Sequence, residues 1–302
     1  MRIALIGYGA IAAIHARGLL GREGCVLTTV IGPDLARAQA FARSHGVAQA
    51  CTDIDQGLAD VDAAIIASPS ALHFAQAHAC LERGKHVLVE LPAVESRTEA
   101  EQLAVTAAIR GCVLQCATTS RFLRPYQMIG HWLADGRLGE VRSVQHWRAI
   151  APRERSWTDD ALLHHAEHPI DLMLHWFGDL TPLGCAALPR VVGAQELALL
   201  ARLPSGAPVS MAVSYRGRLP SVGLSLIGEN HMLITDGFGD IRCDEANMCW
   251  EGDGEAEFAD AVARQDQAFV NACQQPGAAG HWPETLRLAS CIEAFQRLGG
   301  AA

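Results

Sequence analysis

Over the first 118 residues, short apolar runs alternate with stretches whose apolar positions recur at helical spacing. Ile3–Ile6, Val26–Ile31, Ala63–Ala67, His86–Val89 and Val113–Cys116 read as strands. Ala10–Leu20, Leu35–His45, Ser70–Arg83 and Ser96–Arg110 read as amphipathic helices. The strands lack the polar alternation of a half-exposed sheet, so their order predicts a parallel sheet covered by helices on both faces. After Arg121 the pattern changes. Glu140–Ile150 reads as a long strand with many exposed positions, and the stretch from Trp157 to Phe177 as largely helical. Beyond residue 191, strands and turns dominate: Leu197–Leu203, Pro208–Tyr215, Gly223–Ile227 and His231–Ile234. Their short connections at 204–207 and 228–230 suit antiparallel hairpins. Helical patterns close the chain around 257–274 and 284–298. The prediction is an α/β chain of two domains. Residues 1–118 carry a doubly wound parallel sheet, and residues 119–302 form an α+β domain with antiparallel hairpins.

Composition narrows the function classes. The 302 residues carry 24 Lys and Arg against 33 Asp and Glu, a formal charge of −9, which argues against a nucleic-acid partner. Half the residues are apolar, enough to bury a core, so a disordered chain is excluded. Ten cysteines without a C-x-x-C pair read as reduced thiols of a cytoplasmic protein. The apolar start is too short for a signal peptide, and no apolar run of about 20 residues predicts a membrane span. Lys85 is the only lysine, so chemistry that needs a lysine has one candidate.

Gly7-Tyr8-Gly9-Ala10-Ile11-Ala12 follows the first strand, opens the first helix and fits G-x-G-x-x-G/A. The first glycine permits the tight turn and the second lets backbone approach a pyrophosphate. The small third residue packs helix on strand, and the helix N-terminus faces the negative charge. This is the fingerprint of a Rossmann domain binding NAD or NADP. Asp34, after the second strand, suits either the ribose of NAD or the N-cap of the helix from Leu35. With no arginine at the strand tip, and Arg37 one turn in, NAD is favoured over NADP.

Three further segments complete a pattern: Ala67-Ser68-Pro69-Ser70-Ala71-Leu72-His73, Gly84-Lys85-His86-Val87-Leu88-Val89-Glu90-Leu91-Pro92, and His164-His165-Ala166-Glu167-His168-Pro169-Ile170-Asp171-Leu172. With the fingerprint they resemble the glucose–fructose oxidoreductase/inositol dehydrogenase (Gfo/Idh/MocA) family over nearly the whole chain. The resemblance implies an NAD(P)-dependent dehydrogenase that acts on a small molecule and forms homo-oligomers through a large, mostly antiparallel C-terminal sheet. It carries cofactor contacts onto Ser68, Pro69, Ser70, His73, Glu90, Leu91 and Pro92. Glu90 and Pro92, at the carboxyl end of their strand, are expected to shape the nicotinamide site. Two departures stand out. Leu91 replaces the family's E-K-P lysine, and His164 replaces the acid of D-x-G-x-H. Both resemble a branch whose members oxidise the cyclic hemiacetal of a carboxylated muconate semialdehyde.

Five of the thirteen histidines fall between 146 and 175, and helical spacing puts His164, His168, Asp171 and His175 on one face. Loss of hydride from a C–OH requires loss of a proton, and a near-neutral imidazole suits that task. His168 is the expected base, Asp171 its orienter, and His164 and His165 groups that bind or polarise the substrate oxygen. His164-x-x-Glu167-His168 also spells a zinc-protease pattern, but on a chain with a nucleotide fingerprint the metal reading is disfavoured. Arg121 and Arg155 (with Arg153 nearby) are candidate anchors for a carboxylate, Trp157 could stack on a ring, and Tyr126 could donate a second proton. A sugar or cyclitol dehydrogenase, or a regulator that binds the dinucleotide without turnover, are the alternatives.

Overall fold

The computed structural model describes residues 1–151, 160–188, 195–219, 221–275 and 282–300. Arg153, Arg155 and Trp157 lie outside the described residues. Contacts divide the chain into two compact units, Met1–Thr119 with Ala259–Leu286, and Ser120–Phe258 with Arg287–Ala302.

In the first unit, β1 (Arg2–Ile6), α1 (Ala10–Leu19), β2 (Val26–Ile31), α2 (Leu35–Ser44), β3 (Gln49–Cys51), α3 (Ile54–Leu58), β4 (Ala63–Ile66), α4 (His73–Glu82), β5 (His86–Val89), α5 (Arg97–Arg110) and β6 (Leu114–Cys116) follow one another. The strands form one parallel sheet in the order β3-β2-β1-β4-β5-β6. Ile3, Leu5, Val30, Ile65 and Leu88 are wholly buried, which is why these strands carry no polar alternation. The order reverses between β1 and β4, and the carboxyl ends at such a switch point form the ligand crevice. β3 was not anticipated; three residues are too few to show a period.

The second unit holds α6 (Arg124–Ala134), β7 (Val141–Ala149), a π-helical turn at Leu162–Ala166, α7 (Glu167–Phe177), β8 (Thr181–Leu188), β9 (Glu196–Arg202), β10 (Pro208–Ser214), β11 (Ser221–Gly228), β12 (Met232–Thr235), β13 (Asp240–Cys243) and β14 (Trp250–Glu251). Its eight strands run β14-β13-β12-β11-β7-β10-β9-β8, and only β7 and β10 pair in parallel. The hairpins at 204–207 and 228–230 join antiparallel strands as expected. β8 escaped the sequence reading because its T-P-L-G-C-A-A-L is poor in strand formers.

α8 (Gly254–Gln274) and α9 (Trp282–Gly300) close the chain. The sequence boundary at 118/119 put both in the second domain, whereas the first unit takes Ala259–Leu286. Burial explains this: Phe269 and Val270 lie in the same core as Ile3, Val30 and Ile65.

Candidate active site

The first unit carries the dinucleotide fingerprint in working form. Gly7 takes φ +117°, where a side chain is strained. A Cβ there would overlap the Ala67 carbonyl and lie 2.9 Å from the Ser68 amide nitrogen. Gly7 N–H donates to the Ile31 carbonyl at 2.8 Å, fixing the turn against β2. Gly9 caps α1 without a side-chain bond, and the first turn holds no acid. The first-turn amides, from Ala10, Ile11 and Ala12, have no partners within the helix and are suited to an anion. Ala12 is wholly buried, so a small residue is required there. A cradle that a methyl group would fill, opposite free amides, fits a pyrophosphate.

At the tip of β2, Asp34 is engaged locally: its Oδ1 accepts the Arg37 amide at 3.0 Å as the N-cap of α2. The Tyr8 ring lies against Gly32, where a Cβ would overlap it. The Arg37 guanidinium stands 4.7 Å over the same ring. At the other end of the crevice, Ser68 Oγ donates to Gln76 at 2.6 Å, and Ser70 opens a short 3-10 turn after Pro69. Buried His73 bridges two backbone carbonyls, Pro92 at 2.7 Å and Ser68 at 2.9 Å, tying together the exits of β4 and β5. Leu91–Pro92 is a cis peptide. Lys85 donates to the Val61 carbonyl at 2.8 Å, before β5 begins and at the strand's opposite end from Leu91.

Behind Glu90 lies a feature the sequence reading missed. His15 is wholly buried, with Nδ1 2.9 Å from the Asp266 carboxylate and Nε2 2.9 Å from Glu90 Oε1. Burial alone would push the imidazole down. The Asp266 charge and hydrogen bond, reinforced by Glu90, outweigh that and raise it to about 10. The available signal was a histidine in register with Ala12, Ala16 and Leu19 on the buried face of α1. Its partner stands 251 residues away, beyond any local pattern.

In the second unit, the histidines gather around the π turn. Asp160 Oδ1 accepts the amides of Leu162 and Leu163 at 2.9 and 3.1 Å, and the His164 ring rests on the Asp160 backbone. His165 is buried, edge-on to Tyr215 at 5.1 Å and 6.5 Å from the His168 ring. His168 keeps some exposure. Burial first, then the Arg148 guanidinium, push it down to about 3. Burial and Arg148 push His146 equally far, to about 3. Burial and the nearby Asp171 hold Glu167 well above the carboxylate range. The expectation of a near-neutral imidazole at His168 is therefore corrected: desolvation and neighbouring positive charge keep it unprotonated.

Two further expectations meet different surroundings. The Asp171 carboxylate is taken by Arg121, in a two-pronged pair at 2.8 and 2.5 Å, rather than by His168. Both side chains are almost fully buried, 8 and 2% exposed, so Arg121 is held by the protein's own acid. The π turn also breaks the single histidine face, because its wider hydrogen-bond step shifts the phase of His164. His175 is exposed while Asp171 is buried. Tyr126 is buried edge-on to Trp176 at 5.7 Å, its hydroxyl beside Gly237, and burial raises its phenol further. Among the described residues no three His, Cys, Asp or Glu side chains converge as metal ligands, and no helix is long and apolar enough to cross a membrane.

Comparison with known proteins agrees with this geometry. Residues 1–118 match the model of the Gfo/Idh/MocA oxidoreductase family, NAD-binding Rossmann fold. The chain is 31% identical over 232 residues to a 4-carboxy-2-hydroxymuconate-6-semialdehyde dehydrogenase of Sphingobium, covering 73% of this chain and 74% of the relative. A 3-ketoreductase from Actinomadura kijaniata, solved with NADP and TDP-benzene, superposes with a TM-score of 0.86 at 21% identity, over 99% of this chain and 97% of that one. The scyllo-inositol dehydrogenase of Lactobacillus casei does so with a TM-score of 0.82 at 20% identity, over 99% and 95%. With the cradle at Gly7, the six-stranded parallel sheet and a 31% identical relative, this chain belongs to the Gfo/Idh/MocA family of NAD(P)-dependent oxidoreductases.

Proposed function

We propose that this enzyme moves hydride between nicotinamide and a CH–OH or cyclic hemiacetal carbon of a small carboxylated substrate, with His168 handling the hydroxyl proton. Bound in the Gly7–Ala12 cradle, a nicotinamide dinucleotide supplies the hydride acceptor or donor. The observation carrying the proposal is the electrostatic setting of His168. It is unprotonated and so able to accept, but burial and the Arg148 charge oppose its protonation. An anionic substrate adds the opposite charge and lifts the imidazole towards the range where a base works. A neutral sugar or cyclitol offers no such compensation. The relative's name points to a 4-carboxy-2-hydroxymuconate semialdehyde-like substrate. For the dinucleotide we favour NADP over the NAD first expected, because Asp34 is engaged as a helix cap and Arg37 stands ready for a phosphate. One experiment tests these points: His168→Ala is expected to lower turnover on the carboxylated hemiacetal about a hundredfold while leaving NADPH and NADH affinities unchanged. Full activity in the variant would overturn the role of His168. No turnover by the wild type on any such substrate would favour a dinucleotide-binding regulator, and tighter binding of NADH would restore NAD.

We also infer that a second copy of the chain covers the outer face of the eight-stranded sheet. Trp147, Leu188, Leu200, Met232 and Ile234 are exposed there, with Ala198 and Ala212 between them in register. Large apolar side chains exposed on several strands of one sheet face mark an interaction surface. Sedimentation velocity is expected to show an oligomer that Leu200→Asp dissociates; a monomeric wild type would refute it.

A further inference from the structure

Glu90, His15 and Asp266 form a line of three charged side chains within the first unit. His15 faces a carboxylate at each ring nitrogen, both at 2.9 Å; with both carboxyls ionised, both hydrogen bonds require hydrogen on both nitrogens. The imidazolium is wholly buried and Asp266 nearly so, at 0 and 1% side-chain exposure, whereas Glu90 keeps 14%. Two carboxylates around one imidazolium leave one net negative charge, and Glu90 is the member that reaches the surface. Its place is fixed from both ends: the Glu90 amide donates to the Ile66 carbonyl at 3.0 Å, and Oε1 is tied to His15. It stands at the carboxyl end of β5, the side of a doubly wound sheet where the ligand binds. The next side chain is Leu91, which adds no positive charge, and the chain's one lysine is anchored at the opposite end of β5.

We propose that Glu90, clamped from behind by His15 and Asp266, selects between the two redox forms of the dinucleotide, favouring the oxidised, cationic nicotinamide over the reduced, neutral one. This rests on the dinucleotide occupying the crevice described above. A fixed carboxylate attracts a ring that carries +1 and is indifferent to one that carries none. Because Glu90 is already held by a buried partner, no side-chain ordering offsets the attraction on binding. His15 and Asp266 are positioning residues that act through Glu90.

The test is equilibrium binding of oxidised and reduced dinucleotide, followed by tryptophan quenching or calorimetry, in the wild type and Glu90→Gln. Glutamine keeps the shape and removes the charge. The expected result is about a tenfold loss of affinity for the oxidised form with the reduced form unchanged. Equal losses for both forms would mean Glu90 only supports the fold, and would overturn the proposal alone. Binding of neither form by the wild type would overturn it together with the cofactor site. If Glu90→Gln does not fold, the wild type still decides: it is expected to bind the oxidised form at least as tightly as the reduced one. A tenfold preference for the reduced form would refute the proposal.

Discussion

Asp171→Ala is expected to destabilise the protein by about 3–5 kcal/mol, because it leaves the Arg121 guanidinium buried without its acid. The pair is two-pronged and nearly sealed from solvent. Asp171→Ala removes the partner that a charge in that position requires, whereas replacing both residues by apolar ones of similar volume (Arg121→Met with Asp171→Leu) removes the requirement itself. The double variant is therefore expected to recover most of the loss. Urea denaturation of the two single variants and the double variant measures this. A single variant within about 0.5 kcal/mol of wild type would show that the pair is solvated in solution. The result also bears on recognition. An arginine whose two prongs are occupied by its own chain is not a ready anchor for a substrate carboxylate.

Gly7→Ala is expected to abolish dinucleotide binding and to lower stability. Placing a non-glycine residue at φ +117° costs about 1–3 kcal/mol. The added methyl also meets backbone: the Ala67 carbonyl and the Ser68 amide, both fixed at the exit of β4. Neither can rotate away as a flexible side chain would. The turn must open, and with it the amides of α1 lose their aim at the pyrophosphate. Titration with either dinucleotide measures the effect. Retained affinity would show that the cradle is not built around Gly7. Gly9→Ala provides the internal comparison, since nothing stands within 4 Å of a Cβ there and the protein fold should tolerate it.

The parts of the molecule legible in the sequence are those set by neighbours along the chain. Strands buried on both faces are largely apolar, so β1, β4 and β5 declared themselves, and β2 did so through its buried end at Val30 and Ile31. The G-x-G-x-x-A turn is a local steric requirement, and the structure shows the close contact at Gly7 that demands it. The hairpins of the second sheet followed from short turns between alternating strands. β3 and β8 did not, one being too short for a period and the other too poor in strand-forming residues.

The site was legible as an inventory of residues, and its wiring was not. The G-x-G-x-x-A turn, the run of histidines at 164, 165 and 168 and the position of the lone lysine before β5 could all be read from the sequence. Only the tertiary structure decided who pairs with whom. Asp171 meets Arg121 and not His168, and His15 finds Asp266 from α8. It also set proton affinity: Asp266 and Glu90 raise the imidazole of His15, while burial and Arg148 lower that of His168. The reason is physical. A residue's type and period are properties of the local chain. The partner of a buried charge, and the desolvation that sets its proton affinity, arise from groups brought together across hundreds of residues only when the chain folds.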